Sequence, residues 1–270
     1  MTTIKEMLFF MDGKEIPSEA ILNWEKKRLL ITMKTLKKIK CLSPSPFTQN
    51  EEEQGDLEFM RKEVLRLKTE AGLEQLRNAL KWRYTLGNIG SVVATTLSLG
   101  KRKICSTEIL VQTTSLSPEE VMKKITDIMM INTTDHLAIN LSSNPDHYVL
   151  QALSENVQEV LEITGGSPLP TRFFAHYGEE DGLTSTLTPG YTVQSPGSAR
   201  LKNGFIIGGV RHQVKSEGNG IRFKAVVEFP ALLPQSMIVD HQYHLGCEFG
   251  HWIEQALALS EADETHDARY

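Results

Sequence analysis

Apolar positions along the chain follow two textures, helical spacing in the first third and short alternating runs after it. From Pro17 to Lys40 the segment SEAILNWEKKRLLITMKTLKKIK has no internal proline and predicts one long helix, with the Ser18 hydroxyl as its N-cap. CLSPSPFTQNEEEQG then brings two prolines, three successive glutamates and a glycine, which stop a helix and predict a surface linker over 41–55. A second helix is expected from Asp56 to Tyr84. Its Leu57, Met60, Val64, Leu67 and Ala71 advance by threes and fours, and Leu73, Leu76 and Leu80 resume the stripe after a slip beside Gly72. A stripe this wide does not stay in water, since burying one leucine is worth roughly 1.5 to 3 kcal/mol. It predicts a helix-helix interface, within the chain or between chains. Leu57, Met60, Val64, Leu67, Leu76 and Leu80 are therefore the candidate self-association residues.

Beyond Gly87 the runs SVVATTLSL, ICSTEILVQTT, HLAINLSS, FIIGGVRHQV and IRFKAVVEF are short, rich in β-branched residues and bounded by turn formers, so each reads as a strand. The last two predict a hairpin over 205–229 through KSEGNG, with Gly208 and Gly209 marking a bulge or a close backbone approach. Ser117-Pro118-Glu119-Glu120 has an N-cap serine, proline at the first helical position and acids in the first turn, the strongest helix start in the chain. A final helix is expected from Cys247 to Ser260, before an acidic tail at 261–270. With one strong helix among five short strands and no strand-helix repeat, the expected class is α+β: a helical N-terminal region of two long helices over 1–87, then a mainly antiparallel domain over 88–260.

Composition narrows the class without naming a function. The 270 residues are 40% hydrophobic and 23% charged, a soluble globular balance. No run of apolar residues is long enough to span a bilayer, and the N-terminal segment lacks the pattern of a secretory signal, so the expectation is an intracellular protein, cytoplasmic or nuclear. Cys41, Cys105 and Cys247, odd in number and far apart, predict reduced thiols, and the sequons at Asn132 and Asn140 then carry no glycan. The net charge of −5 conceals a split: residues 1–103 sum to +6 and the remainder to −11. Lys26, Lys27, Arg28, Lys34, Lys37, Lys38 and Lys40 crowd one short stretch that contains no acid, making the first helix a candidate surface for RNA or an anionic membrane. Ser43-Pro44-Ser45-Pro46 in the linker reads as loop punctuation.

Phosphate-loop, dinucleotide, nucleophile-elbow, HExxH and paired CxxC motifs are all absent, which removes sequence support for the common nucleotide-binding, hydrolase and zincin chemistries. The densest chemical cluster is DHQYHLGCEFGH over 240–251, where imidazoles and a thiol are the ligand types zinc prefers. Gly246 and Gly250 are expected to break the helical geometry there. No second Cys/His pair supplies a far side, so no metal and no cofactor are expected, with His241, His244, Cys247 and His251 as the residues that would ligate one. A thiol nucleophile at Cys247, activated by His244 or His251 with Asp240 behind it, is the corresponding enzyme alternative.

The order of a basic helical front, then strand, helix, strands and a late hairpin resembles that of rhabdovirus matrix proteins and of the two-part interferon antagonists of orthomyxoviruses. The resemblance is one of element order over the C-terminal part of the chain and transfers no functional residue. It implies a viral-type assembly or host-interaction protein. The sequence is accordingly read as a non-enzymatic, self-associating interaction protein, forming homo-oligomers and meeting other proteins. The alternatives are a polyanion binder through helix 18–40 and a metal or thiol enzyme centred on 240–251.

Overall fold

The computed structural model describes residues 2–39 and 56–267, with side chains as far as Ser260. Lys40, Cys41, the serine-proline sites and the glutamate run of the linker lie outside the described residues, as do the side chains of the acidic tail.

A 3-10 turn at Ile4–Glu6 leads into strands β1 (Leu8–Met11) and β2 (Lys14–Ile16) and then helices α1 (Ser18–Leu36) and α2 (Leu57–Leu97). After β3 (Arg102–Val111) come α3 (Pro118–Met130) and α4 (Thr134–Ser142), then β4 (His147–Ala152), β5 (Val157–Glu162), β6 (Thr171–Tyr177), β7 (Val193–Arg200), β8 (Ile206–Glu217) and β9 (Gly220–Pro230). The long helix α5 (Gln235–Asp267) is last. All nine strands form one sheet in the order β2-β1-β3-β9-β8-β7-β6-β5-β4, and every neighbouring pair is antiparallel. Strands β4 to β9 form a meander, which local hairpins suffice to connect. β3 returns to pair with β9, and the hairpin of β1 and β2 extends that side. The α+β class follows, with the expected helical front and antiparallel sheet.

Alternation on β3 explains where α5 sits. Cys105, Thr107, Ile109 and Val111 point to the buried face at every second position. There Thr107 donates its hydroxyl to the Gln242 carbonyl at 2.7 Å and the Cys105 thiol faces the Ile238 carbonyl at 3.4 Å, tying α5 across the sheet. Phe223 on β9 stacks on Phe249 of α5 with centroids 4.8 Å apart, and Trp252 meets Phe249 edge-on at 5.0 Å. Helix α3 lies alongside; it starts at the expected N-cap serine, which the structure completes as a capping box, Ser117 accepting from the Glu120 amide while Glu120 accepts from the Ser117 amide.

A second core fills the space between α1, α2 and the β4-β5 edge. Met60, Val64, Leu67, Leu76 and Leu80 of α2 meet Leu29, Met33 and Leu36 of α1 and Tyr148, Val149 and Leu161 of the sheet. The slip beside Gly72 is a kink: Gly72 has φ 71° and ψ 156° within α2, a conformation that costs glycine little and other residues much. The predicted self-association stripe is thus consumed inside one chain, with Leu57 half-buried at its edge. Met60, Val64, Leu67, Leu76 and Leu80 are at most 3% exposed, so these side chains offer a second copy almost no surface.

Several local expectations also change. SVVATTLSL is the end of α2, not a strand, and HLAINLSS is α4, capped by Thr133 accepting from the His136 amide at 3.0 Å. β-Branched residues only mildly disfavour helix, so a cap and a packing surface override them. Four strands of the meander, β4 to β7, and the hairpin of β1 and β2 were not marked by the runs singled out. Helix α1 ends at Leu36 rather than Lys40, and Ser18 is its first residue rather than its cap, donating to the Lys5 carbonyl at 3.3 Å. Residue 87 lies within α2, while β1 and β2, from the first 87 residues, join the sheet of the later ones. Helix α5 starts twelve residues before Cys247 and runs through both of its glycines. A Cβ at Gly246 would stand 2.8 Å from Ile21 Cδ1, and one at Gly250 2.8 Å from Ile4 Cδ1. These glycines are contact points where α1 and the N-terminal turn approach the helix, and the packing gained outweighs the roughly 1 kcal/mol each costs in helix propensity.

Candidate functional site

Between the sheet and α5 lies a cavity of about 310 Å3. Its walls are mostly apolar, with Val160, Phe173, Ala175 and Ile207 from the strands and Leu245 and Phe249 from α5. The opening is beside α2, where Leu86 lines the cavity and is still 48% exposed. There α2 comes so close to the loop over 163–170 that a Cβ on Gly87 would be 2.1 Å from the Pro170 carbonyl oxygen. Asn88 fastens the same contact, donating to the Arg172 carbonyl and accepting from the Arg172 amide, both at 3.0 Å.

One wall is polar. Glu162, at the end of β5, and His244 and Glu248, on successive turns of α5, face the cavity. His147, the first residue of β4, stands behind them, fully buried. The electrostatics of the group favour positive charge at its centre. Burial opposes a charged His147, yet the carboxylates of Glu248 and Glu162 outweigh it and hold the imidazole above its ordinary value. Burial pushes the Glu162 carboxyl up to about 7 against the pull of His147. Burial, with His241 and His147 adding repulsion, keeps His244 neutral, well below its usual range. Behind His244, Arg28 forks onto Asp146 with contacts of 2.7 to 3.0 Å. The ammonium of Lys68, fully buried, donates to the carbonyls of Leu141 and Asn144 at 2.7 and 3.1 Å, and burial lowers it to about 7.

A second group of potential ligands lies on the α1 side of α5: Glu25, Cys247 and His251. It is already internally compensated. Arg61 grips both oxygens of Glu25 at 2.6 Å, His251 Nε2 is 3.2 Å from Glu25, and the arrangement holds the Glu25 carboxyl down to about 2 despite burial. The Cys247 thiol sits 3.6 Å from the Ser143 carbonyl, and burial raises it well above the range in which a thiolate forms.

The expected cluster over 240–251 is therefore divided. His244 joins the cavity wall, Cys247 and His251 face α1, and His241 stacks on His244 with centroids 4.5 Å apart. The nucleophile alternative loses its geometry, because Cys247 has neither exposure nor a low-lying thiolate. Glu162, His147 and Glu248 were missed; His244 and Glu248 at i and i+4 could have been read as one helix face, whereas the other two depend on strand pairing. On α1, Lys27 and Lys34 are exposed and Lys26 is half-buried, and Lys37 and Lys38, just past its end, are exposed. Arg28 is removed from the polyanion face, since its guanidinium is committed to buried Asp146.

The C-terminal half of α2 carries a feature absent from the expectations. Trp82, Leu86, Ile89 and Val93 are all about half-exposed or more and repeat at steps of four, three and four, so a continuous apolar stripe faces outward beside the cavity opening.

No protein-family model matches the chain, and no curated protein is significantly similar to it. Among solved structures, the crystal structure of Ara h 8.0201 is similar at 15% identity and a TM-score of 0.38, covering 58% of this chain and 99% of that one. A likeness at that level carries no functional inference.

Proposed function

We propose that the protein binds a small, largely apolar molecule in the cavity between the sheet and α5, its polar end toward Glu162, His244 and Glu248. The observation that supports this is the cavity itself: about 310 Å3, apolar on most sides, polar on one and open beside α2. Ligand pockets span roughly 300 to 1,000 Å3 and combine apolar walls with a few polar groups that fix orientation. Nile red, neutral and fluorescent in apolar surroundings, is a suitable probe for the full chain. Ala175 lines the cavity, and Ala175→Phe would place a ring in it; binding should weaken by about tenfold, about 1.4 kcal/mol. Failure of the wild-type protein to bind, or equal binding by this variant and the wild type, would refute the reading.

A second reading keeps the assembly role and moves it to the outward stripe of α2. The 4-3-4 spacing of Trp82, Leu86, Ile89 and Val93 is that of a helix seam, and residues 79–99 contain no acid and only Lys81 and Arg83 as cations. An antiparallel pair of copies separates those cations and buries the stripe. Light scattering tests it: Ile89→Gln with Val93→Gln should reduce the mass of the wild-type particle, and a wild-type monomer at high concentration refutes it.

A further inference from the structure

Two pairs of side chains, delivered by different elements, converge on one point in the cavity wall. His147 and Glu162 are direct partners in the antiparallel register of β4 and β5. His244 and Glu248 are one turn apart on α5. His147 Nε2 lies 3.6 Å from Glu162 Oε2 and 3.3 Å from Glu248 Oε1. His244 Nε2 lies 3.8 Å from Glu162 Oε2 and 3.7 Å from Glu248 Oε2. Each Nε2 thus faces both carboxylates, meeting the same oxygen of Glu162 but different oxygens of Glu248, and the ligand atoms of His147, Glu162 and His244 all lie within 4.8 Å of one another.

These contacts, at 3.3 to 3.8 Å, are longer than well-formed hydrogen bonds. Among the described residues, His147 Nε2 and both ring nitrogens of His244 have no hydrogen-bond partner, although all are buried. Such orphaned groups are costly and call for a physical cause. His147 Nδ1 is 3.2 Å from the Asn140 carbonyl, which only accepts, so Nδ1 carries a proton and Nε2 is the nitrogen aimed at the carboxylates. Two carboxylates facing two imidazole nitrogens call for a cation between them, either a proton on His147 Nε2 or a metal ion. A tetrahedral ion with ligands at about 2.0 to 2.2 Å sets its donors roughly 3.3 to 3.6 Å apart, close to the spacings seen here.

We propose that His147, Glu162, His244 and Glu248 bind one divalent transition-metal ion, of the zinc or ferrous-iron class, through two imidazole nitrogens and two carboxylates. Outer contacts fit that role. The Asn140 carbonyl fixes the His147 tautomer, and Thr164 donates its hydroxyl to Glu162 Oε1 at 3.1 Å, leaving Oε2 for the ion. Two imidazoles favour such an ion over calcium or magnesium, which prefer oxygen donors throughout. Two carboxylates balance its charge. Glu162, His244 and Glu248 line the cavity, which gives the ion a path in. The group of Glu25, Cys247 and His251 is the poorer host, because the Arg61 guanidinium already holds both oxygens of its carboxylate. This inference goes beyond the apolar-ligand reading and stands without it.

The test uses the full chain, stripped with chelator, dialysed and titrated with Co2+ alone. The expected result is one ion per chain, with ligand-field bands and X-ray absorption showing nitrogen and oxygen donors, imidazole among them, and no sulfur. Glu162→Gln and Glu248→Gln should each weaken binding by at least about tenfold, while Cys247→Ala leaves it unchanged. No stoichiometric uptake by folded wild-type protein overturns the proposal, as does a sulfur donor, which would place the ion at Cys247. Should the glutamine variants fail to fold, the wild-type spectrum decides alone.

Discussion

Replacing Arg28 with methionine separates two meanings of one residue. As a surface cation it would cost nothing in stability and only weaken contact with a polyanion. In the structure its Nε and Nη2 contact both oxygens of Asp146 at 2.7 to 3.0 Å, and the Asp146 side chain has no exposure to water. Methionine fills much of the same volume but leaves that carboxylate without its partner. His147 and Lys68 are the remaining nearby cations; the first faces Glu162 and Glu248, and the ammonium of the second already serves the carbonyls of Leu141 and Asn144. Breaking a buried pair from one side costs about 3 to 5 kcal/mol, whereas replacing both partners by apolar groups is often close to neutral. Arg28→Met should therefore destabilise by about that amount, a large part of a total of roughly 5 to 15 kcal/mol. The double variant Arg28→Met with Asp146→Leu should recover most of it. Urea unfolding of the four proteins closes the cycle. A loss below about 1 kcal/mol for Arg28→Met, or simple additivity in the double variant, would refute the buried-pair reasoning.

Leu67→Ala should cost about 2 to 5 kcal/mol, because the side chain is fully buried against α1, while leaving particle mass unchanged; a change in mass with unchanged melting would restore an intermolecular role to that stripe. Burial lowers His212 to about 3, and burial with repulsion from His147 lowers His241 to about 3. The unfolded chain binds their protons near pH 6.5 while the folded one does not, so this stability is present above about pH 6.5 and is lost as pH falls toward 3. His212→Phe should make acid unfolding less steep by about one proton, and an identical pH profile counts against the assignment. Gly87→Ala sets helix propensity against sterics. A gain of about 1 kcal/mol is expected from propensity alone, but a Cβ only 2.1 Å from a backbone oxygen forces α2 off the loop at 163–170, and a measured stabilisation would show that contact to be soft. Charge reversal of Lys27, Lys34 and Lys38 should abolish any salt-sensitive binding to RNA or anionic vesicles; persistence of binding would exclude the α1 face as its location.

The features legible in the sequence were those with a local cause. The Ser117 N-cap with its following proline, the slip beside Gly72 and the late hairpin each depend on a few neighbouring residues, and each is present. Strands β5 and β7 escaped because their chemistry departs from the strand pattern: β5 buries Gln158, Glu159 and Glu162, and β7 contains Pro196 and Gly197. Buried polar residues read as surface until their partners are known, as when Glu159 receives both Arg77 and Arg172. The glycines of α5 misled for the opposite reason, their use being to admit neighbours from far away in sequence. Half of the cavity wall shares that difficulty, since His147 and Glu162 meet only through strand register.

The closure of β3 onto β9 sets an order of events during synthesis. β3 leaves the ribosome early and must wait for more than a hundred further residues before its partner exists, a long-range pairing that slows folding and prolongs exposure of a sheet edge. The N-terminal hairpin can dock on β3 meanwhile and guard its other side. Helix α5 emerges only after all nine strands, carrying His244, Glu248 and one wall of the cavity. Until it docks, the His147–Glu162 pair has no counterpart, so a nascent chain halted after β9 holds the meander but neither a closed cavity nor a complete polar wall.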